Sequence, residues 1–277
     1  MRLLHARSLK FQDFNESSLP PYAILSHTWD ASQEVSLQEM TSPYLPSKKG
    51  YAKITETCRL ALSQGLEYAW IDTCCIDKTS SAELTESINS MFRWYQKARV
   101  CYAYLSDFHT TSDGPDLAQC AWFTRGWTLQ ELIAPPTMEF YNSSWEMIGT
   151  RYQLEKELSS ITGIPILAFG RLPAALRSFS VAQKMSWASS RVTTRTEDVA
   201  YCLLGLFGVH MPLIYGEGSR AFHRLQEEIA RRTDDLTLFA WVPAENNFAY
   251  CSLLASSPAE FGGRDVVTTH RRPSSRS

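Results

Sequence analysis

No C-x-x-C pair occurs in this chain, nor a G-x-G-x-x-G or other glycine-rich phosphate loop, nor an apolar run near the ~18 residues of a membrane span. Each absence removes a class. Six histidines are scattered without short spacing to any cysteine, so no metal site is expected. The seven cysteines (58, 74, 75, 101, 120, 202, 251) are an odd set inside mostly apolar segments, which reads as reduced, buried thiols acting as small hydrophobes. Lacking a dinucleotide loop, the chain is not expected to use NAD for hydride transfer, and no cofactor is required. Basic residues number 27 and acidic ones 29, well mixed, for a net charge of −2. That balance offers no basic stripe for phosphates, so nucleic acid is excluded as a partner. Met1 to Arg7 turn polar before a signal-peptide run can form, which implies a cytoplasmic chain without a membrane span.

What is present is a packed composition, 44% hydrophobic and 20% charged, enough to build a core without staples. Residues 22–26, 68–72, 100–105 and 138–141 are short apolar and aromatic runs that read as buried strands. Between them, Ile54/Cys58/Ala61/Leu62 and Leu84/Ile88/Met91/Phe92/Tyr95 recur at helical spacing. Gly65 stops the first of these helices, and Ser80 with Glu83 has capping-box spacing ahead of the second. Helices are expected near 52–64, 83–98 and 127–134. Alternating strands and helices predict an α/β fold with a mainly parallel, flavodoxin-like sheet flanked by helices. After residue 145 the stripes Leu154/Leu158/Ile161, Val199/Leu203/Leu206 and Phe222/Leu225/Ile229 predict a helical C-terminal half. Thr194 and Glu197 again have capping-box spacing, and Tyr215 to Gly218 reads as a turn. The expected organisation is a lead-in (1–21), an α/β core (22–150), a helical extension (151–242) and an irregular tail or the truncated start of another unit (243–277).

In an open parallel sheet, ligands bind outside the carboxyl ends of the strands. The first three runs deliver Ser26-His27-Thr28-Trp29-Asp30, Asp72 through Cys75 to Lys78, and Ser106-Asp107, all expected on one rim. A helix starting near Trp127 places Trp127 and Glu131 on one face and Leu129, Leu132 and Ile133 on the other. The apolar stripe is expected to dock on the sheet with Trp127 and Glu131 turned away from it. Arg125 and Gly126 supply a cation and a close-approach backbone at the helix start. Plainer roles exist for each residue. Glu131 suits an exposed pair with Arg125 worth ~0–1 kcal/mol, His27 a structural hydrogen bond, and Asp72 and Asp77 loop caps. Cys75 near His27 resembles a nucleophile with its base, but reactivity needs a depressed pKa. Most tryptophans suit the core, with Trp29 and Trp127 placed near a ligand. Arg191, Arg195, Glu197 and Asp198 read as a solvated helix start.

Six blocks, in order, resemble the signature segments of fungal heterokaryon-incompatibility (HET) domains. They are YAILSHTWD (22–30), YAWIDTCCIDK (68–78), ESINSMFRWYQKARVCYAYLSD (86–107), FTRGWTLQELIAP (123–135), MSWASSRVTTRTEDVAYCLLG (185–205) and MPLIYGEGSRAFHRLQEEI (211–229). The resemblance implies a death-inducing effector of vegetative incompatibility, in a family often joined to nucleotide-binding death-signalling and repeat domains. It also implies self-association or association with such a partner. A more distant resemblance is to TIR domains, whose first strand ends in a similar turn and whose later helix spaces a tryptophan and a glutamate like Trp127 and Glu131. Some TIR domains hydrolyse NAD, so by position Glu131 would be catalytic, holding the nicotinamide-ribose hydroxyls and stabilising an oxocarbenium-like transition state. Ser26, His27, Trp29, Asp72, Cys75, Arg125 and Trp127 would then line the site for NAD or a related nucleotide. A non-catalytic interaction module built on the same helices is the alternative.

Overall fold

The computed structural model describes residues 1–42, 45–109, 116–170, 175–243 and 252–262. Strands β1 (Arg2–His5) and β2 (Lys10–Asp13) form an antiparallel hairpin. β3 (Tyr22–His27) is buried along its whole length, as a strand covered on both faces must be. Helix α1 (Lys49–Ser63) leads to β4 (Tyr68–Trp70) and the short α2 (Asp72–Cys75). Helix α3 (Ser81–Lys97), β5 (Val100–Tyr104), α4 (Thr128–Ile133), β6 (Met138–Tyr141) and β7 (Met147–Thr150) complete the core.

One seven-stranded sheet results, in the order β2-β1-β4-β3-β5-β6-β7. β4, β3, β5 and β6 are parallel, and antiparallel strands finish both edges. The expected α/β architecture is therefore present, and its four parallel strands run in the flavodoxin order, second-first-third-fourth. The first 21 residues are not a bare lead-in: Leu4 pairs with Ala69 and extends the sheet. Leu3 and Leu4 are fully buried while β2 stays largely exposed, a pattern too short for periodicity to reveal. Right-handed crossovers put α1 on one face and α3 and α4 on the other, because the chain reverses its direction of travel across the sheet after β4.

Each helix boundary has a local cause. α1 buries Lys53, Ile54, Thr57, Cys58 and Ala61, and ends before Gly65 at φ +75°. At the start of α3, Ser80 accepts from the Glu83 amide (3.3 Å), but the Glu83 carboxylate does not return to close the box. It binds Arg2 and the Asp77 amide instead, both at 2.7 Å, which fastens the hairpin to α3. The second expected box is absent. Glu197 turns its carboxylate to the Gly216 and Gly218 amides (2.7 and 3.0 Å), where positive φ angles make the predicted turn.

The C-terminal half is helical, with α5 (Glu155–Thr162), α6 (Val181–Ser186), α7 (Asp198–Tyr201), α8 (Leu204–Phe207) and α9 (Arg220–Ala230). A complete capping box, Ser180 with Gln183, opens α6. Beyond 243, the described residues 252–262 dock on this half. Ala255 exchanges two hydrogen bonds with the buried Gln226 side chain, and Phe261 is buried. The six described cysteines are free and buried; Cys251 lies outside the described residues. Unfolding without reductant is expected to release seven titratable thiols against a thiol reagent, and a count of five or fewer would reveal a disulfide.

Candidate functional site

The crossovers leaving β3 and β5 run in opposite directions, to β4 and to β6, and the loops that follow these two strands leave a crevice between them. A cavity of about 430 Å³ opens there, walled in part by Thr28, Trp29, Lys53, Tyr104, Ser106 and Trp145. Trp29 is 44% exposed, and the Lys78 ammonium sits 3.7 Å from its ring centroid. Just before Thr28 in the chain, the last two residues of β3 are polar and enclosed. His27 has Nε2 3.4 Å from Glu34 and Nδ1 3.9 Å from Asp72. Those are ion-pair distances rather than aligned hydrogen bonds, and His27 Nε2 and Asp72 Oδ1 are both buried without a hydrogen-bond partner. Glu34 also meets Lys53, whose ammonium donates to the Thr28 carbonyl (3.0 Å). Burial alone would raise the Glu34 pKa, but His27 and Lys53 outweigh it and hold the carboxyl down at about 2.

Glu131 is where the structure departs most from expectation. It does not point away from the sheet: it is 4% exposed and accepts a 2.5 Å hydrogen bond from Ser26. Ser26 in turn accepts from Trp122 Nε1 (2.8 Å), and the Tyr95 hydroxyl stands against the same carboxyl while donating to the Leu25 carbonyl. Burial and the nearby Asp72 charge push the Glu131 pKa up to about 8, against the smaller opposing pull of Ser26, Tyr95 and Arg125. The physical reason is that α4 has no solvent face. All six of its residues are buried, between the sheet on one side and the helical half on the other.

That second covering explains the other displaced residues. Gly126 and Val192 pair through their backbones (2.8 Å), and a Cβ at residue 126 would meet the Thr193 side chain at 2.5 Å. Arg191 is not solvated: its guanidinium enters the α4 start and donates to the Arg125 carbonyl and Thr128 Oγ1, both at 2.8 Å. Burial lowers its pKa to about 10. At the other end of α4, the buried Arg151 donates to the Leu132 and Pro135 carbonyls, both at 2.7 Å. Arg125 reaches Thr194 (3.4 Å) rather than pairing with Glu131, and Trp127 donates to Asp198 (3.3 Å) away from the cavity. Burial raises the Asp198 pKa, against hydrogen bonds from Trp127 and Tyr215. Glu197 and Asp198 are themselves buried, which corrects the expected solvated run.

Of the predicted site residues, Ser26, His27, Asp72 and Glu131 come together in one buried cluster, while Trp29 lines the cavity above it. Cys75 lies below them, buried, its sulfur facing the Ile71 amide (3.4 Å). Glu34, Lys53, Tyr104 and Trp145 were not anticipated. Lys53 had a signal: it falls on the apolar stripe of α1, one position before Ile54, where a charge has to be accounted for. Among the described residues, no group of three or more His, Cys, Asp or Glu side chains is arranged to hold a metal.

The family described as heterokaryon incompatibility protein (HET) matches residues 22–121. Vegetative incompatibility protein HET-E-1 of Podospora anserina is 47% identical over 230 residues, which is 79% of this chain. The chain is a HET-domain protein. It spans only 17% of the length of that curated relative. The family match takes in Ser26, His27, Trp29, Asp72 and Cys75 and stops before Arg125, Trp127 and Glu131. A second family, a domain of unknown function (DUF8212), matches residues 220–273, from the start of α9 into the tail. No solved structure matches the HET-domain chain. No helix among the described residues is long and apolar enough to cross a membrane.

Proposed function

We propose that this HET domain is an effector of heterokaryon incompatibility that induces cell death by cleaving NAD or a related nucleotide at the crevice between β3 and β5. The observation that carries the reading is the buried Glu131 carboxyl, raised to about 8 and hydrogen-bonded to Ser26, two residues along the chain from Thr28 in the cavity wall. Such a carboxyl rests largely neutral at pH 7, and an entering cationic nicotinamide lowers its pKa as any nearby opposite charge does. The substrate would then favour ionisation of Glu131, its proton passing to water, and the carboxylate would stabilise an oxocarbenium-like ribose as the N-glycosidic bond breaks, nicotinamide departs with the bonding pair and water adds to the ribose. His27 and Asp72 support the reading in another way: each keeps a buried polar atom unsatisfied, a cost that a ligand's hydroxyl groups would remove. Purified, concentrated protein incubated with NAD should release free nicotinamide on chromatography. No release above a heat-denatured control would end the enzymatic reading.

A second reading is a non-catalytic interaction module, and the enclosure of Glu131 favours it. With the carboxyl 4% exposed, the cluster also serves as a polar tie between sheet and α4. Under that reading Glu131 matters only through folding.

A further inference from the structure

Trp145 is the one aromatic residue of the described chain held at positive φ (+62°). It sits in the hairpin between β6 and β7, at a place where a left-handed residue is ordinarily glycine or asparagine. The turn is built to hold it there. Asn142 Oδ1 accepts from the Ser144 and Glu146 amides (3.0 and 2.9 Å), and the Trp145 amide donates to the Asn142 carbonyl (2.9 Å). The indole lies flat on the Tyr104 ring, with centroids 4.3 Å apart and planes 12° apart, and both rings form one wall of the cavity. Tyr104 is fixed in turn by its hydroxyl, which donates to the Ser143 carbonyl (3.2 Å). Trp29 belongs to the same cavity, and the start of α1 adds Lys49 and Lys53.

The cations are not equivalent. Lys53 is already neutralised by Glu34, whereas Lys49 is exposed at the first residue of α1, where the helix dipole also favours an anion. Asp30, the acidic residue of the wall, turns its carboxylate to the Ser32 amide and hydroxyl (3.1 and 2.8 Å). A bulky residue kept at a backbone angle that disfavours it points to a demand on its side chain, and such strain collects at ligand sites. Packing on Tyr104 and Tyr141 supplies part of that demand, yet Trp145 remains half-buried in the wall of the cavity.

We propose that Tyr104 and Trp145 are a stacking platform for the flat heteroaromatic ring of a nucleotide whose phosphate is received by Lys49 at the start of α1. The assignment rests on reading the cavity as the nucleotide site, and it names the residues that select the ring. The ring can be the adenine or the nicotinamide end of the ligand, so ADP and nicotinamide mononucleotide are titrated separately by calorimetry, with inorganic pyrophosphate as the ring-free control. The wild-type protein should bind one or both mononucleotides at least ten-fold more tightly than pyrophosphate, since stacking a base on an aromatic ring is worth that much or more. Trp145→Gly accepts the positive φ without strain and should keep a native circular dichroism spectrum and a cooperative melt. It should nevertheless lose roughly ten-fold or more in mononucleotide affinity while binding pyrophosphate unchanged. Trp145→Phe should recover most of the loss, and Lys49→Ala should weaken both mononucleotides and pyrophosphate. Wild-type-like mononucleotide binding by Trp145→Gly would overturn the proposal, as would wild-type protein that binds neither mononucleotide. The two readings fail separately. Ring-dependent binding without nicotinamide release sinks only the enzymatic reading, and unchanged KM for NAD in Trp145→Gly sinks only the platform.

Discussion

Glu131→Gln is expected to remove nicotinamide release by 10²-fold or more while making the protein more stable than wild type at alkaline pH. The catalytic loss follows from deleting the charge that Glu131 can present to a developing cation beside Ser26, a contact usually worth several kcal/mol. The stability change follows from titration. In the folded chain the Glu131 pKa stands near 8 against an ordinary 4.5, so the native state binds the proton more tightly than the unfolded state. Its contribution is therefore fully present below pH ~4.5 and is lost as pH rises to 8 and beyond, at about 1.4 kcal/mol for each pH unit between the two values. Glutamine does not titrate and its side-chain oxygen still accepts from Ser26. Melts at pH 5, 7 and 9 should show wild type and variant converging at the acid end and the variant pulling ahead at the alkaline end. Parallel curves would mean that Glu131 is ionised and solvated. Glu131→Ala is a poorer probe, because it leaves Ser26 without its acceptor and opens a void, at a cost of roughly 1–3 kcal/mol.

Arg151→Met should lower stability by about 3 kcal/mol or more, or about 10 °C in Tm for a chain of this size. Its guanidinium is 6% exposed and supplies donors to the carbonyls of Leu132, Pro135 and Pro136 at the end of α4. Methionine fills similar volume but donates nothing, so those buried acceptors lose their partner. The helix that carries Glu131 loosens as a result, and activity should fall with stability instead of ahead of it. A melt within 1 kcal/mol of wild type would show that water replaces the guanidinium.

The parallel core was legible because β3, β4, β5 and β6 are continuous apolar runs separated by helix-spaced stripes, a local signal. From that order alone, the residues at the strand ends could be expected on one rim; Trp29 lines the cavity there, while Ser26, His27 and Asp72 are drawn into the buried cluster with Glu131. The orientation of Glu131 was not legible. Helical spacing tells which residues share a face of α4, but not that residues 191–198 return from far along the chain to bury the other face. Arg191 and Asp198 look solvated as a charge run, yet each has partners more than 60 residues away. The N-terminal hairpin escaped for a similar reason, since its pairing partner is β4. Trp145 is harder still: the turn residues Asn142-Ser143-Ser144 mark a hairpin, but only coordinates show which residue takes the positive φ.

The central claim is that the crevice between β3 and β5 is the working site, with the nucleotide above and Glu131 below it. A crystal structure of Glu131→Gln protein soaked with NAD tests this most directly, since the variant should hold the substrate without consuming it. The account predicts intact NAD with one ring against Tyr104 and Trp145 and the nicotinamide ribose within hydrogen-bond reach of the residue-131 side chain. NAD bound elsewhere, or an empty crevice at saturating NAD, would contradict it.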